Sequence, residues 1–510
     1  MKPTNFRAVA RLAIAIACAL PLLTQAAPAP AACKFVPVAK LPLRYTSPSL
    51  MITTAGSING TPAELLVDTG AYQTFFTRTG TERRNMPLRR TGKYAFGVGG
   101  SSPIFETRYT DFSAGFARVS KGFMPVLGDF GFTPSFDGLL GSTFLLKTDL
   151  EISLASKEIT FFHTEHCDDT YLGYWGENVI DVPFKPHDDV GLNPHFTVLI
   201  NGKELEAIID TGAAASSIRR DAAKAAGIEV DLHGPATHYS AGAGSRTAAT
   251  WMVSAKTFQI GAETVQNAEM AVVDARNDGV DVILGADFLR AHRVLFAMSQ
   301  QRLYFSYVGG EPFGQHKKLE PWIKAEADAG NADAQYVLAE TYDSGKLVPR
   351  DDKLATSWLE KAVAGGSPYA LLTSGFELMQ RGDAAGAVSR LRAALDLLPA
   401  ERQGALWLYL ARVRAGQPDL AVQELAAAFA RGESDEWPKP IADFYLGKLT
   451  LDKLLAQAPD DGAKGRQRHC QTVSSVALWQ MAHGQADQGK ALAARSAAAC
   501  NRGNRGKQGD

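Results

Sequence analysis

Up to about residue 310, the hydrophobic positions come in short runs separated by turn residues, a pattern typical of β-strands. Two of these runs end alike: residues 64–71 read Glu-Leu-Leu-Val-Asp-Thr-Gly-Ala, and residues 206–213 read Glu-Ala-Ile-Ile-Asp-Thr-Gly-Ala. Each run ends in an aspartate, and the two aspartates are 142 residues apart. Before the second run, Asn201-Gly202 stands between apolar residues, which predicts a tight β-hairpin. These signals favour two related β domains.

Two further features recur at matching distances from the aspartates. An apolar pair followed by glycine occurs at Leu139-Leu140-Gly141 and at Ile283-Leu284-Gly285, 73 and 75 residues after the aspartate. A glycine-rich stretch lies in between, at residues 94–101 and 239–245. Such a stretch can indicate a dinucleotide site, but no helical pattern follows it, so a mobile hairpin is favoured. The sequence therefore predicts one domain that occurs twice in tandem.

This doubled pattern, over residues 45–307, resembles the retropepsin-like aspartic proteases. Each lobe in that family carries a strand ending in Asp-Thr-Gly-Ala, a glycine-rich flap hairpin and a later apolar-apolar-Gly segment. The resemblance implies two all-β barrels that form a pseudo-dimer within one chain. It also assigns roles to residues: catalytic Asp68 and Asp210, supporting Thr69, Gly70, Thr211 and Gly212, and flap glycines Gly97, Gly99, Gly100, Gly242 and Gly244.

Paired aspartates suit peptide hydrolysis without a metal or cofactor. Two carboxyl groups held close together cannot both ionise, so they share one proton and titrate as a pair. The ionised member can then activate water while the protonated member polarises the scissile carbonyl. We therefore predict an aspartic endopeptidase that acts on a peptide or protein.

Two alternatives to a protease stay open at this point. One is a catalytically silent retropepsin-like peptide-binding or scaffold protein that acts through helical repeats. The other is an assembly protein in which proteolysis is incidental. The insert-like residues 83–93 could occlude the cleft and so favour either alternative.

From about residue 316 the composition becomes Ala-rich with helical spacing, which predicts an all-α domain of stacked helix pairs. The first unit resembles a Sel1-like repeat, and later segments resemble tetratricopeptide repeats more loosely. The resemblance rests on Ala325, Ala329, Gly330, Ala334, Gln335, Leu338, Tyr342, Gly345, Val348, Asp352, Ala355, Trp358, Lys361, Ala362 and Gly365. We expect a separately stable unit that binds a protein partner.

The N-terminus has the form of a secretion signal, with basic residues before an apolar run from Leu12 to Leu23 and small residues near Ala26. A buried helix and a lipoprotein modified at Cys18 are the alternatives; we do not expect lipidation. The predicted location is periplasmic or secreted, with no integral membrane segment after cleavage. The full organisation is then a signal peptide (1–26), first repeat (27–165), linker (166–190), second repeat (191–310), helical repeats (316–501) and disordered tail (502–510).

Cysteine positions and charge complete the picture. Four cysteines follow the signal, an even number suited to an oxidising compartment. The favoured pairs are Cys33 with Cys167 and Cys470 with Cys500, although four cysteines allow three pairings and free thiols are a further alternative. The polar connector from about residue 163 to residue 189 also holds His163, His166, Cys167, Asp168 and Asp169, but a solvated linker is favoured over a metal site because no second ligand cluster has matching spacing. A net charge of −1 gives no reason to expect nucleic acid as a partner.

Overall fold

The computed structural model describes residues 32–185, 192–231, 236, 238–273, 280–314, 318–430, 437–459 and 462–505. The predicted signal peptide (1–26) lies outside these residues. The described residues form two β lobes, one sheet that both lobes share, and a helical region.

Lobe 1 covers residues 34–165. Its elements are β1 (Lys34–Pro42), β2 (Arg44–Thr46), β3 (Met51–Ile58), β4 (Thr61–Val67), β5 (Phe75–Thr77), α1 (Arg78–Arg83), β6 (Arg89–Gly97), β7 (Gly100–Ala114), β8 (Ala117–Leu127), β9 (Gly138–Leu140), α2 (Ser142–Leu145), β10 (Asp149–Ser153) and β11 (Glu158–Glu165). Eight of the strands form one sheet in the order β2-β3-β4-β9-β5-β8-β7-β6.

Lobe 2 covers residues 196–307 and repeats this plan. A connecting strand, β12 (Ile180–Pro183), precedes β13 (Phe196–Ile200), β14 (Lys203–Ile209), β15 (Ser217–Arg219), α3 (Arg220–Ala225), β16 (His238–Ser240), β17 (Ala248–Ile260), β18 (Glu263–Val273), β19 (Val282–Leu284), α4 (Ala286–Ala291), β20 (His292–Ala297) and β21 (Arg302–Tyr307). The lobe 2 sheet has the order β13-β14-β19-β15-β18-β17-β16. As predicted, β13 and β14 form a hairpin at Asn201-Gly202, where both residues have positive φ.

A third sheet joins the lobes, in the order β1-β11-β10-β20-β21-β12. Its central pair is β10 of lobe 1 and β20 of lobe 2, which run antiparallel with Leu150 opposite Phe296. Both side chains are fully buried. The two lobes are therefore one continuous β structure with an apolar core beneath the shared sheet.

The strands that lead to the two Asp-Thr-Gly-Ala segments are buried on both faces. Leu65, Leu66 and Val67 at the end of β4 are all buried, as are the corresponding residues of β14. These ends run parallel to β9 and β19 inside their sheets, so neither face meets water. This explains why the sequence shows a continuous apolar run at these places instead of strict alternation.

The helical region follows lobe 2. Its helices are α5 (Pro321–Asp328), α6 (Ala332–Ser344), α7 (Asp352–Ala364), α8 (Pro368–Arg381), α9 (Ala384–Leu397), α10 (Arg402–Arg414), α11 (Pro418–Ala430), α12 (Lys439–Tyr445), α13 (Leu451–Ala456), α14 (Gly462–Ala482) and α15 (Ala486–Arg505). Side-chain oxygens of Asn331, Asp351, Ser367 and Asp383 cap the N-termini of α6 to α9. Consecutive helices pack in pairs, as the Ala-rich spacing predicted.

The helical region does not stand apart from the β structure. Arg402 on α10 makes two hydrogen bonds of 3.0 and 2.6 Å to the Glu82 carboxylate of α1, and both side chains are buried. Asp333 of α6 accepts a 2.7 Å hydrogen bond from the Ser47 backbone N–H. The helical region, which we predicted to be a separately stable unit, is therefore joined to lobe 1 by a buried ion pair and a buried polar contact.

Three other expectations need correction. The linker is not fully solvated, because Cys167 and Leu172 are buried and β12 joins the shared sheet. Residues 83–93 do not lengthen lobe 1 relative to lobe 2, because five residues separate α1 from β6 whereas twelve separate α3 from β16. The predicted disordered tail loses its first residues to α15, which continues to Arg505; residues 506–510 lie outside the described part of the chain.

Candidate active site

The two Asp-Thr-Gly-Ala segments are held in the same way by their own lobes. The backbone N–H of Asp68 donates to the Leu140 carbonyl at 3.0 Å, and that of Asp210 donates to the Leu284 carbonyl at 2.9 Å. Each bond extends the parallel pairing of a strand with the apolar-apolar-Gly segment behind it. Each aspartate therefore stands at a rigid strand end, because a second strand supports its backbone.

Thr69 and Thr211 tie the two segments to each other. The Thr69 hydroxyl donates to the Ile209 carbonyl and the Thr211 hydroxyl to the Val67 carbonyl, both at 2.8 Å. In return, each hydroxyl accepts the backbone N–H of the other threonine, at 3.0 and 3.1 Å. Both side chains are buried, so each of these groups is satisfied only across the lobe interface.

Gly70 and Gly212 allow the segments to approach closely. A Cβ atom on Gly70 would lie 2.4 Å from the Asp210 carboxyl group, and one on Gly212 would lie 2.6 Å from the Asp68 carboxyl group. Only glycine permits contact at these distances. The two carboxyl groups thus face each other across the lobe interface.

Hydrogen bonds distinguish the two carboxyl groups. Asp210 Oδ1 accepts the backbone N–H groups of Gly212 at 2.8 Å and Gly70 at 3.2 Å, whereas Asp68 Oδ1 accepts that of Ala71 at 2.9 Å. When one of the two carboxyl groups is protonated, it can donate a hydrogen bond to the other. Both aspartates keep partial contact with solvent.

Burial raises the pKa of both aspartates. For Asp68, burial and then the negative charge of Asp210 raise the pKa well above the ordinary value. Burial also raises the pKa of Asp210, while the hydrogen bonds from Gly212, Asp68 and Gly70 oppose the rise. The pair therefore favours one shared proton and one negative charge, and Asp210 has the larger number of backbone donors to stabilise that charge.

Two hydroxyl residues, Thr74 and Ser216, also support the site, and neither was among the residues predicted from the sequence. The N–H groups of Gly141 and Gly285 donate to the hydroxyls of Thr74 and Ser216, at 3.3 and 3.0 Å. Each hydroxyl residue lies six positions after its aspartate, so the repeat itself contained the signal. In lobe 2, buried Asp287 extends this support by accepting both the N–H and the hydroxyl of Ser216.

The predicted flap glycines lie at the tips of two hairpins that meet. The Gly99 N–H donates to the Ala243 carbonyl at 3.0 Å, and the Arg246 N–H donates to the Gly99 carbonyl at 3.2 Å. Gly244 has φ +119°, and a Cβ atom there would lie 2.1 Å from the Gly99 carbonyl carbon. Gly97, Gly100 and Gly242 also face the opposite tip, towards Ala243, Arg246 and Val98.

The four cysteines form the two favoured pairs. Cys33 is bonded to Cys167 across lobe 1, and Cys470 is bonded to Cys500 across the last two helices. In the histidine-containing connector, Cys167 is thus in a disulfide and His163 contacts Glu165 at 2.8 Å. Among the described residues, no group of three or more His, Cys, Asp or Glu side chains is arranged to hold a metal ion.

Of the described helices, none is long and apolar enough to span a bilayer.

A cavity of about 670 Å³ lies away from the aspartates, where the lobes meet α5. Its charged groups have structural partners: Lys157 pairs with Glu326, and the Arg290 guanidinium stacks 4.1 Å from the centre of the Trp322 ring. These contacts attach the helical region to the β lobes, and we assign no second reactive centre to this cavity.

One comparison with known proteins gives a family match, and that match lies in lobe 2. Residues 196–291 match the family model of the gag-polyprotein putative aspartyl protease, which supports a retropepsin-like aspartic protease domain there. No match was found among curated proteins. Among solved structures, the aspartic proteinase from Irpex lacteus aligns over 54% of this chain and 97% of that chain, with 16% identity and a TM-score of 0.33.

Proposed function

We propose that the protein is an aspartic endopeptidase in which Asp68 and Asp210 form one catalytic dyad within a single chain. The observation that carries this proposal is the reciprocal threonine bonding, which holds the two aspartate segments together across the lobe interface. The match of lobe 2 to an aspartyl protease family supports the same reaction class.

The proposed mechanism needs no covalent intermediate. Asp210 begins as the ionised member, stabilised by two backbone N–H groups, and removes a proton from water as the water attacks the scissile carbonyl carbon. Asp68 begins protonated and donates to the carbonyl oxygen, which stabilises the charge that develops there. The proton on Asp210 then passes to the leaving nitrogen as the C–N bond breaks, and Asp68 takes back a proton from a hydroxyl of the tetrahedral intermediate as the carbonyl re-forms.

The glycine hairpins supply the cover of the proposed cleft. Their tips hydrogen-bond to each other, so a substrate must part them to enter and is enclosed when they close again. Closure of this kind excludes water and strengthens electrostatic interactions at the reacting atoms. In this proposal the rigid aspartate segments carry out the chemistry, and the hairpins enclose the substrate.

The substrate and location follow from the reaction class. We propose a peptide or protein substrate that binds in extended form beneath the hairpins. The two disulfides support a periplasmic or secreted location, since such bonds persist in oxidising compartments. A protein partner on the helical region stays a prediction.

The test is cleavage of a peptide library by the mature protein, followed by time-resolved mass spectrometry with and without pepstatin. We expect cleavage that pepstatin blocks. Asp68→Asn and Asp210→Asn should each abolish it, and the double variant should be little worse, because residues that act as a unit are not additive. Asp221→Asn, at an exposed carboxylate of lobe 2 outside the site, is the matched control and should cleave normally.

Two outcomes would contradict the proposal. Tight peptide binding without products would favour the catalytically silent binding protein instead. Recovery of activity on mixing the two single variants would move the site to an intermolecular dimer, because neither mixed chain holds a complete pair.

A further inference from the structure

Loop 128–137 of lobe 1 contacts three parts of the molecule: the lobe 1 sheet, the two hairpins and the helical region. It connects β8 to β9 and ends at Asp137, whose carboxylate accepts the Glu64 N–H and pairs with Arg84. Buried Phe130 and Phe136 hold its interior against the lobe 1 sheet. The loop is therefore a packed element with defined contacts at each end, although it contains no regular secondary structure.

The first end of loop 128–137 supports both hairpins. The Asp129 carbonyl accepts the Gly244 N–H of the lobe 2 hairpin tip at 3.0 Å. The Asp129 N–H donates to the Ser102 hydroxyl of the lobe 1 hairpin at 2.9 Å. Gly131 lies against the Arg246 carbonyl, where an added Cβ would come within 2.9 Å. A shift of this end would therefore move the lobe 2 tip.

The middle of the same loop is held by the helical region. The Tyr369 hydroxyl on α8 donates to the Thr133 carbonyl at 2.9 Å. Burial raises the pKa of Tyr369 above its ordinary value, so the hydroxyl stays a donor over the working pH range. Arg83, which pairs with Asp137 in the loop, also donates to the Leu397 carbonyl of α9.

Lobe 2 provides an internal comparison for this docking. Residues 82–84 of lobe 1 are Glu-Arg-Arg, and the positions 142 residues later, 224–226, are Lys-Ala-Ala. Glu82 meets Arg402 of the helical region, whereas the lobe 2 helix has no carboxylate at that place. Lobe 1 thus carries specialised side chains for the helical region in addition to those of the shared plan.

We infer that Tyr369 is a positioning residue for the proposed cleft: it holds loop 128–137, and the loop in turn holds the Gly244 hairpin tip closed. The inference rests on the proposed function for its catalytic consequence. It gives the helical region a role in setting how tightly the cleft closes over a peptide.

The first experiment measures amide hydrogen exchange by mass spectrometry in the full mature protein. Tyr369→Phe removes one hydroxyl and keeps the ring. Loss of one hydrogen bond should speed exchange in residues 128–137 and 241–247 by roughly 2- to 10-fold. Exchange in the β17–β18 hairpin should stay as in the wild type.

Tyr336→Phe is the matched control. Its hydroxyl shares a 3.1 Å hydrogen bond with Thr373 inside the helical region, and its ring stacks on Tyr369. This variant loses a bond of the same kind but leaves the loop contact intact. It should exchange like the wild type in both segments.

The second measurement is steady-state cleavage of a peptide that the wild type cuts. Weaker closure lowers the binding of substrate and transition state alike, so Tyr369→Phe should raise KM by about the same factor as the exchange rate and leave kcat unchanged. A general loss of structure would lower kcat and speed exchange throughout instead.

The amide exchange measurement tests the role of Tyr369 even if the protein cleaves no peptide. Unchanged exchange at residues 241–247 in Tyr369→Phe, or an equal increase in Tyr336→Phe, would overturn it. Coupled exchange in a protein that cleaves nothing would support the inference about the loop and contradict the proposed function alone.

Discussion

The carboxyl groups of Asp68 and Asp210 lie where burial and their mutual repulsion both oppose a second negative charge. Their backbone donors are unequal, two for Asp210 and one for Asp68. Each carboxyl group therefore has its own environment within one pair. Two measurements at the residue scale test this difference.

The first is the pH dependence of cleavage. The active form carries one proton on the pair, so activity should fall when both groups are protonated and when both are ionised. Burial and the charge of Asp210 raise the pKa of Asp68 well above the ordinary value of about 3.9, so the alkaline limb of the bell-shaped profile should lie well above that pH. kcat/KM measured from pH 3 to 8 checks this. A profile without an alkaline limb would contradict the shared proton.

The second is the pH dependence of stability. A carboxyl group whose pKa is raised by folding holds its proton more tightly in the folded state, so stability falls as pH rises from the unfolded pKa through the folded pKa. Asp68→Asn removes this loss. Its melting temperature should exceed that of the wild type by an amount that grows from pH 4 towards neutrality.

Asp221→Asn is the control for that measurement. Arg219 lowers the pKa of Asp221, so the sign is reversed and any stabilisation is present above the unfolded pKa. The site is exposed, and the change should be small. A difference between Asp68→Asn and the wild type that does not depend on pH would mean that Asp68 is not desolvated in the folded protein.

At the scale of elements, the two glycine-rich hairpins meet at their tips, and their glycines approach the opposite tip to different degrees. Gly244 approaches the Gly99 backbone most closely, while Gly242 meets only the end of the Val98 side chain. The closed arrangement of the tips therefore depends on one glycine far more than on its neighbour.

We predict that Gly244→Ala opens the tips and Gly242→Ala does not. At Gly244 the positive φ and the 2.1 Å approach both exclude a Cβ, and strain of this kind costs roughly 1–3 kcal/mol. KM for a cleaved peptide should rise about tenfold or more in Gly244→Ala and stay within about twofold in Gly242→Ala. Similar KM values for the two variants would show that the observed tip contact does not govern access.

At the scale of the whole molecule, the helical region is attached to lobe 1 through buried charges. Arg402 and Glu82 are both nearly inaccessible, and each satisfies the other. Removing one member of such a pair leaves an unpaired buried charge, which is far more costly than the loss of a surface ion pair.

Arg402→Ala should therefore lower the free energy of unfolding by about 3–5 kcal/mol. Arg381→Ala, which breaks an exposed pair with Glu377 on α8, should change it by less than about 1 kcal/mol. Urea unfolding followed by circular dichroism measures both. Equal effects, or a loss in Arg402→Ala confined to the helical signal, would indicate that the helical region is held by other contacts.

Some features of this protein could be predicted because they depend on neighbouring residues. Apolar runs with Asn-Gly turns predict hairpins, Ala-rich spacing predicts helices, and these rules act within a few positions along the chain. The two Asp-Thr-Gly-Ala segments could be predicted to have the same role because the same pattern occurs twice in the chain. Pairing of Cys33 with Cys167 and of Cys470 with Cys500 followed from the same division into units.

Other features were decided only by the tertiary structure. The sheet shared by both lobes includes β12, which lies in the predicted solvated linker; it pairs antiparallel with β21, and Val182 is buried there. The partners Arg402 and Glu82 are 320 residues apart, and Tyr369 and Thr133 are 236 apart. No local pattern indicates which of many arginines or tyrosines will meet a given group, because that choice depends on how whole elements pack. The sequence by itself thus determined the two aspartate segments and the classes of element around them, while the packing of those elements decided how the helical region reaches the cleft.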